Sequence, residues 1–198
     1  MKMPQVVEDA IDSLTRLPGI GEKSAQRIVF WLIGRPAGQI ERLSSAIHAL
    51  SKSVVICSSC GNISDTDPCD LCTDKNRRQD IICVVQETAD MLAIEKSGAF
   101  NGQYHILGGV IDPINDIHPE DLNIKSLIER IGRGGFSEVI LATDPNAEGN
   151  ITATYINQQL KGFDIHVTRI AQGISYGSLI SYTNERSLKE AFMNRKSG

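Results

Sequence analysis

Apolar residues in the first part of the chain recur at helical spacing. Val6, Val7, Ala10, Ile11 and Leu14 mark one stripe, and Ile28, Val29 and Leu32 mark a second. Leu17-Pro18-Gly19-Ile20-Gly21 interrupts both, so residues 5–34 are expected to form two helices around a sharp hairpin. Trp31 falls in the second helix, where a core position is the simplest reading and a contact between subunits the alternative. Pro36 and Gly38 precede a third helix, expected over 39–50. From Asp80 the period changes. Short apolar runs at 81–85, 104–107, 138–142 and 165–170 have the length and bounding of buried strands, and 88–97, 124–131 and 148–160 read as helices between them. Strands alternating with helices of this length predict a mostly parallel sheet flanked by helices on both faces. A short helix over 187–195 is expected in the tail. The fold class is therefore α/β with a small helical module in front. Boundaries are expected at 1–53, 54–78, 79–171 and 172–198.

Composition narrows the class. Of 198 residues, 41% are apolar and 22% charged, which excludes general disorder, while only 5% are aromatic, so the core must be aliphatic. The longest clear apolar run, residues 28–33, is far short of the roughly 20 residues a membrane span needs. Glu8, Asp9 and Asp12 interrupt any secretory h-region. A cytoplasmic protein with no membrane partner is the expectation. The net charge of −4 speaks against nucleic acid, yet it is unevenly spread: residues 1–56 carry seven Lys/Arg against five Asp/Glu. The N-terminal module is the one mildly basic region, and a local patch suffices to meet phosphates.

Four of five cysteines are spaced Cys57-x2-Cys60-x8-Cys69-x2-Cys72, in a stretch too polar to build its own core. Each x2 pair sets two thiolates on one tight knuckle, and two knuckles complete a tetrahedron around zinc. Disulfides do not suit a reducing compartment, and a redox pair would come singly beside a thioredoxin-like pattern. An iron–sulfur cluster is the remaining rival. With four thiolates and no open position, one zinc per chain would be structural. Cys83, inside an apolar run, reads as a small core residue. His48, His105, His118 and His166 are scattered and read as surface or packed residues.

The hairpin carries a second chemistry. Gly19 and Gly21 let a phosphate approach the main chain, and their amides open toward the start of the next helix, where the dipole favours an anion. Lys23 and Arg27, four apart, would flank it, with Arg16 on the preceding helix. A Gly-x-Gly alone would be only a tight turn. The full string LPGIGEKSAQRI resembles the helix–hairpin–helix motif, which grips the DNA backbone without reading sequence.

Two acidic clusters follow strands: VVQETAD, with Glu87 and Asp90, and LATDPNAEG, with Asp144 and Glu148. In a parallel sheet the carboxyl ends of strands share one edge, so these groups are expected to converge there. The pattern resembles the Toprim fold, in which a glutamate after one strand and a DxD after another hold magnesium. A helix–hairpin–helix, a four-cysteine motif, a Toprim pattern and a tail reading GSLISYTNERSLKEAF together resemble the RecR family of bacterial recombination-repair proteins, over nearly the whole chain.

That resemblance implies a non-enzymatic, cytoplasmic and nucleoid-associated mediator. It would form a ring-like homo-oligomer (dimer or tetramer) and bind DNA at gaps or junctions. It would act with RecO and RecF to load RecA at single-strand gaps. An alternative from the enzyme class is a magnesium-dependent Toprim nuclease or primase-like enzyme using Asp144 and Glu148. A third reading is a scaffold without DNA affinity. The chain departs from the Toprim pattern at Gln86, where the glutamate is usual, and at Asn146, the second position of DxD. In the tail, Ile180, Ser181, Tyr182 and Asn184 replace a stretch that is often acidic in relatives. Two roles stay open for the remaining acids: one weak magnesium site, or a surface that orients a helix and meets partners.

Overall fold

In the computed structural model, which describes residues 3–195, the two N-terminal apolar stripes face each other. Helix α1 (Gln5–Thr15) and helix α2 (Glu22–Ile33) bury Ile11, Ala25 and Val29, with Val7, Ala10, Leu14 and Ile20 packed around them. Val6 lies off this seam and is exposed. Trp31, expected in the core, is 54% exposed, and the Arg35 guanidinium sits 4.2 Å from its ring centroid. The reason is helical geometry: two residues beyond Val29 is roughly 200° around the axis, on the opposite face. Helix α3 (Ala37–Ser53) extends past the expected range at both ends. None of its residues is buried, and its apolar row Ile40, Leu43 and Ile47 borders an open groove shared with Val6, Leu14 and Leu32. The chain divides after Val54 into two compact units.

The second unit holds both the cysteines and the sheet. A two-stranded hairpin, β1 (Val55–Ile56) and β2 (Ile63–Ser64), leads to the short helix α4 (Asp70–Thr73). The main sheet contains β3 (Ile81–Val85), β4 (Gln103–Ile106), β5 (Glu138–Leu141) and β6 (His166–Arg169) in the order β4-β3-β5-β6, every pair parallel. Crossovers α5 (Thr88–Ser97), α6 (Ile124–Gly132) and α7 (Ala147–Gln159) connect them. Central β3 is buried along its whole length, as a strand covered on both faces must be. Ile82 and Val84 pack with Leu127, Ile131 and Ile156 on one side, and Cys83 and Val85 with Met91 and Tyr104 on the other. The sequence-expected strands and helices fall within two residues of these bounds. In the tail, α8 (Glu185–Met193) starts two residues earlier than expected because Asn184 caps it, accepting from the Ser187 amide.

Strand β4 lies at the edge of the sheet, yet most of its outer backbone is hydrogen-bonded. Arg77 Nε donates to Gly102 O at 2.8 Å and Arg130 Nη1 to Tyr104 O at 2.7 Å. Ile106 N donates to the Cys60 carbonyl at 2.7 Å, and Asn123 Nδ2 donates to Ile106 O at 3.0 Å. The cysteine module thus covers an edge that would otherwise offer a template for another strand.

Candidate functional site

The first cysteine pair grows out of the β1–β2 hairpin. Cys57 N donates to Asn62 O and Gly61 N returns to Cys57 O, closing a knuckle. Cys69 precedes α4 and Cys72 lies within it, with Cys72 N donating to Cys69 O. Asp67 Oδ1 accepts from both the amide and the hydroxyl of Ser58, fastening the knuckles together. The four Sγ atoms lie within 4.8 Å of one another, with Cys57–Cys72 at 3.9 Å and Cys60–Cys69 at 3.6 Å. Zinc–sulfur bonds of about 2.3 Å in a tetrahedron require sulfurs about 3.8 Å apart, so the donor set fits zinc closely. Cys57, Cys60 and Cys69 are buried. The Cys60 thiol is pushed up by its hydrogen bond to Cys72 and by burial, and burial raises Cys69. Cys72 is held down to about 5, chiefly by the hydrogen bond from Cys60. One thiol gives up its proton easily. Cys60 and Cys69 need a divalent cation to stay ionised in so little water, and zinc would supply that charge and the cross-link.

At the N-terminal hairpin the structure gives Gly19 a φ of +78°, a conformation side-chain-bearing residues resist. Gly21 is the extended N-cap of α2, its carbonyl accepting from Ser24 N and Ala25 N, so the first amides of the helix point outward without helical partners. Arg16, Gly19, Gly21, Lys23 and Arg27 are all exposed. The hairpin therefore sets two glycines, a helix N-terminus and three cations on the surface of one small module.

The acidic edge is arranged differently from the expectation of convergence. Asp90 and Asp144 line one cavity of about 600 Å³, together with Arg186 and Glu190 of α8, whereas Glu87 and Glu148 do not line it. Glu87 and Asp90 close a capping box at the start of α5, with Asp90 Oδ2 accepting from Glu87 N at 2.9 Å. Asn146 caps α7, its Oδ1 accepting from Gly149 N at 2.8 Å, and Glu148 sits in the first turn, where the helix dipole favours a negative charge. Gly149 is required here, because a Cβ would overlap the Asp144 carbonyl. Gln86 holds Asp144 through two hydrogen bonds. The paired glycines 108 and 109 donate their amides to the Gln86 carbonyl and form a turn.

Sequence reasoning treated Gln86 as a loss of charge and missed its structural part. It also missed Arg77, Arg130 and Asn123, whose partners lie 17 to 26 residues away along the chain and leave no periodic signal. Arg77, with a side chain only 7% exposed, also pairs with Glu95 at 2.6 Å. Cys83 and His105 are core residues. Burial pushes the Cys83 thiol up to about 12.

These features define a class: a Toprim-sheet protein carrying a four-cysteine zinc finger and a helix–hairpin–helix. Family models agree region by region. Residues 7–50 match the RecR helix-hairpin-helix, 54–74 the RecR four-cysteine zinc finger domain, and 80–171 the Toprim domain. The chain is 45% identical over 192 residues to recombination protein RecR of Tropheryma whipplei strain Twist, covering 97% of both chains. It is 44% identical over 191 residues to that of Streptomyces coelicolor and 45% over 190 to that of Thermobifida fusca, each covering 96% of both chains. The chain belongs to the RecR family of recombination proteins.

Proposed function

We propose that this chain is a non-catalytic, DNA-binding mediator of recombination repair. It acts in the cytoplasm at the nucleoid, with RecO and RecF, to help load RecA at single-strand gaps. It works as a ring-like homo-oligomer, a dimer or a tetramer. The observation that carries the reading is the hairpin: Gly19 and Gly21 expose main chain beside Arg16, Lys23 and Arg27. Such a surface meets phosphates and tolerates sequence. Among the described residues no helix is long and apolar enough to cross a membrane. The enzyme alternative is disfavoured because Glu87, Asp90 and Asn146 are engaged in helix caps instead of being presented to a metal. The acidic cavity serves instead as a protein-facing surface, for which a basic patch on RecO or RecF is the fitting partner. The test is binding to gapped DNA across a salt series. A Lys23→Glu, Arg27→Glu double variant should bind more weakly on all sequences and flatten the salt slope by roughly one unit per lost phosphate contact. Wild-type binding by that variant would reduce the hairpin to a turn.

A further inference from the structure

We propose that Gln86 takes the structural place of a divalent ion at the carboxyl edge of the sheet, so that the edge is organised without metal. Gln86 follows β3, and its Oε1 accepts from the Asp144 amide at 2.7 Å while its Nε2 donates to Asp144 Oδ2 at 3.3 Å. Its own carbonyl accepts from Gly108 N at 2.9 Å and Gly109 N at 3.1 Å. One residue therefore ties together the ends of β3, β4 and β5. A carboxamide does this with no added proton or cation, because it offers an acceptor and a donor side by side. A glutamate at this position would keep the bond to the Asp144 amide. Its second oxygen would then press against Asp144 Oδ2, a like-charge contact that a cation or a proton must close.

The neighbours point the same way. Asp90 accepts from the Glu87 amide and Asn146 from the Gly149 amide, so both are occupied by their own helix starts. Among the described residues, the four cysteines alone bring three or more His, Cys, Asp or Glu donor atoms to one point. The Toprim magnesium does not fit this donor set, because magnesium needs near-octahedral hard oxygens and negative charge to offset its lost water. The inference stands apart from the DNA-binding reading, since a mediator could hold or lack an ion at this edge.

The experiment uses the full chain in resin-treated buffer without strong chelator, so that zinc stays bound. Thermal midpoints are read with and without millimolar magnesium, and manganese binding is followed by electron paramagnetic resonance. Wild type should melt at the same temperature in both buffers and bind no manganese saturably. Gln86→Glu should melt about 2–4 °C lower without magnesium, recover with it, and take up one manganese per chain, which a second change, Asp144→Asn, abolishes. Gln86→Met should lose the same stability and gain no ion, separating a lost clamp from a created site. Saturable manganese binding by wild type that disappears in Asp144→Asn would overturn the proposal. So would a Gln86→Glu protein that neither loses stability nor gains an ion.

Discussion

The four cysteines and the residues at the carboxyl edge of the sheet are both ligand sets written into the sequence as short motifs, and both lie in the second compact unit. Their surroundings treat them in opposite ways. Around the cysteines, backbone hydrogen bonds and the Asp67–Ser58 contacts shape two knuckles and leave the sulfurs facing one another. At the sheet edge, the same kinds of local bonds consume the side chains themselves: Glu87 and Asp90 cap one helix, Asn146 caps another, and Gln86 clamps Asp144. A motif becomes a metal centre only where the fold satisfies the backbone by other means and leaves the donors free.

The largest effect expected from this contrast is at zinc. Structural zinc contributes on the order of 10–16 kcal/mol, against roughly 5–15 kcal/mol for a whole domain. Cys60→Ser should therefore unfold residues 54–78. Because the Cys60 carbonyl accepts from Ile106, it should also uncover β4 and cost soluble yield. Elemental analysis of the wild type should give one zinc per chain, and iron, or folded protein with no metal, would sink the assignment. Next comes Arg77→Met, which leaves Glu95 and Gly102 O without their partner. A loss of about 2–4 kcal/mol is expected, reduced because Glu95 is partly exposed. A urea midpoint indistinguishable from wild type would show that the edge cover is decorative.

A third test uses acid. Burial holds His105 down to about 4 despite its hydrogen bond to the Asn123 carbonyl. An unfolded imidazole titrates near 6.5, so between these values the unfolded chain binds a proton the folded chain refuses. Stability is full above about 6.5 and should fall by roughly 3 kcal/mol as pH drops toward 4. His105→Gln, which keeps a donor for Asn123, should remove this part of the acid sensitivity. An unchanged urea-midpoint profile in that variant would refute the assignment.

Much of this was legible in the sequence because it is local. Strand runs such as 81–85 and the cysteine spacing each repeat over a few residues, and the hairpin glycines sit within one turn. What was not legible depends on partners far along the chain. Trp31 looked apolar enough for a core, and only the angle from Val29 places it outside. Arg77 and Arg130 carry no signal in the sequence, because their part depends on β4 being an edge that needs donors. Gln86 and Asn146 read as lost charges, whereas each supplies something a carboxylate in the same place would not: an amide donor facing Asp144, and an uncharged cap for α7.

The smallest expected effect is at the acidic edge: Asp144→Asn should leave binding to DNA alone nearly unchanged and should alter binding of RecO. The central claim, that the hairpin holds DNA while the Toprim edge is chemically silent, is tested most directly on gapped DNA incubated with the full chain and magnesium. The account predicts salt-sensitive binding with every strand intact at the end. Strand cleavage by the wild type that vanishes in Asp144→Asn would contradict it.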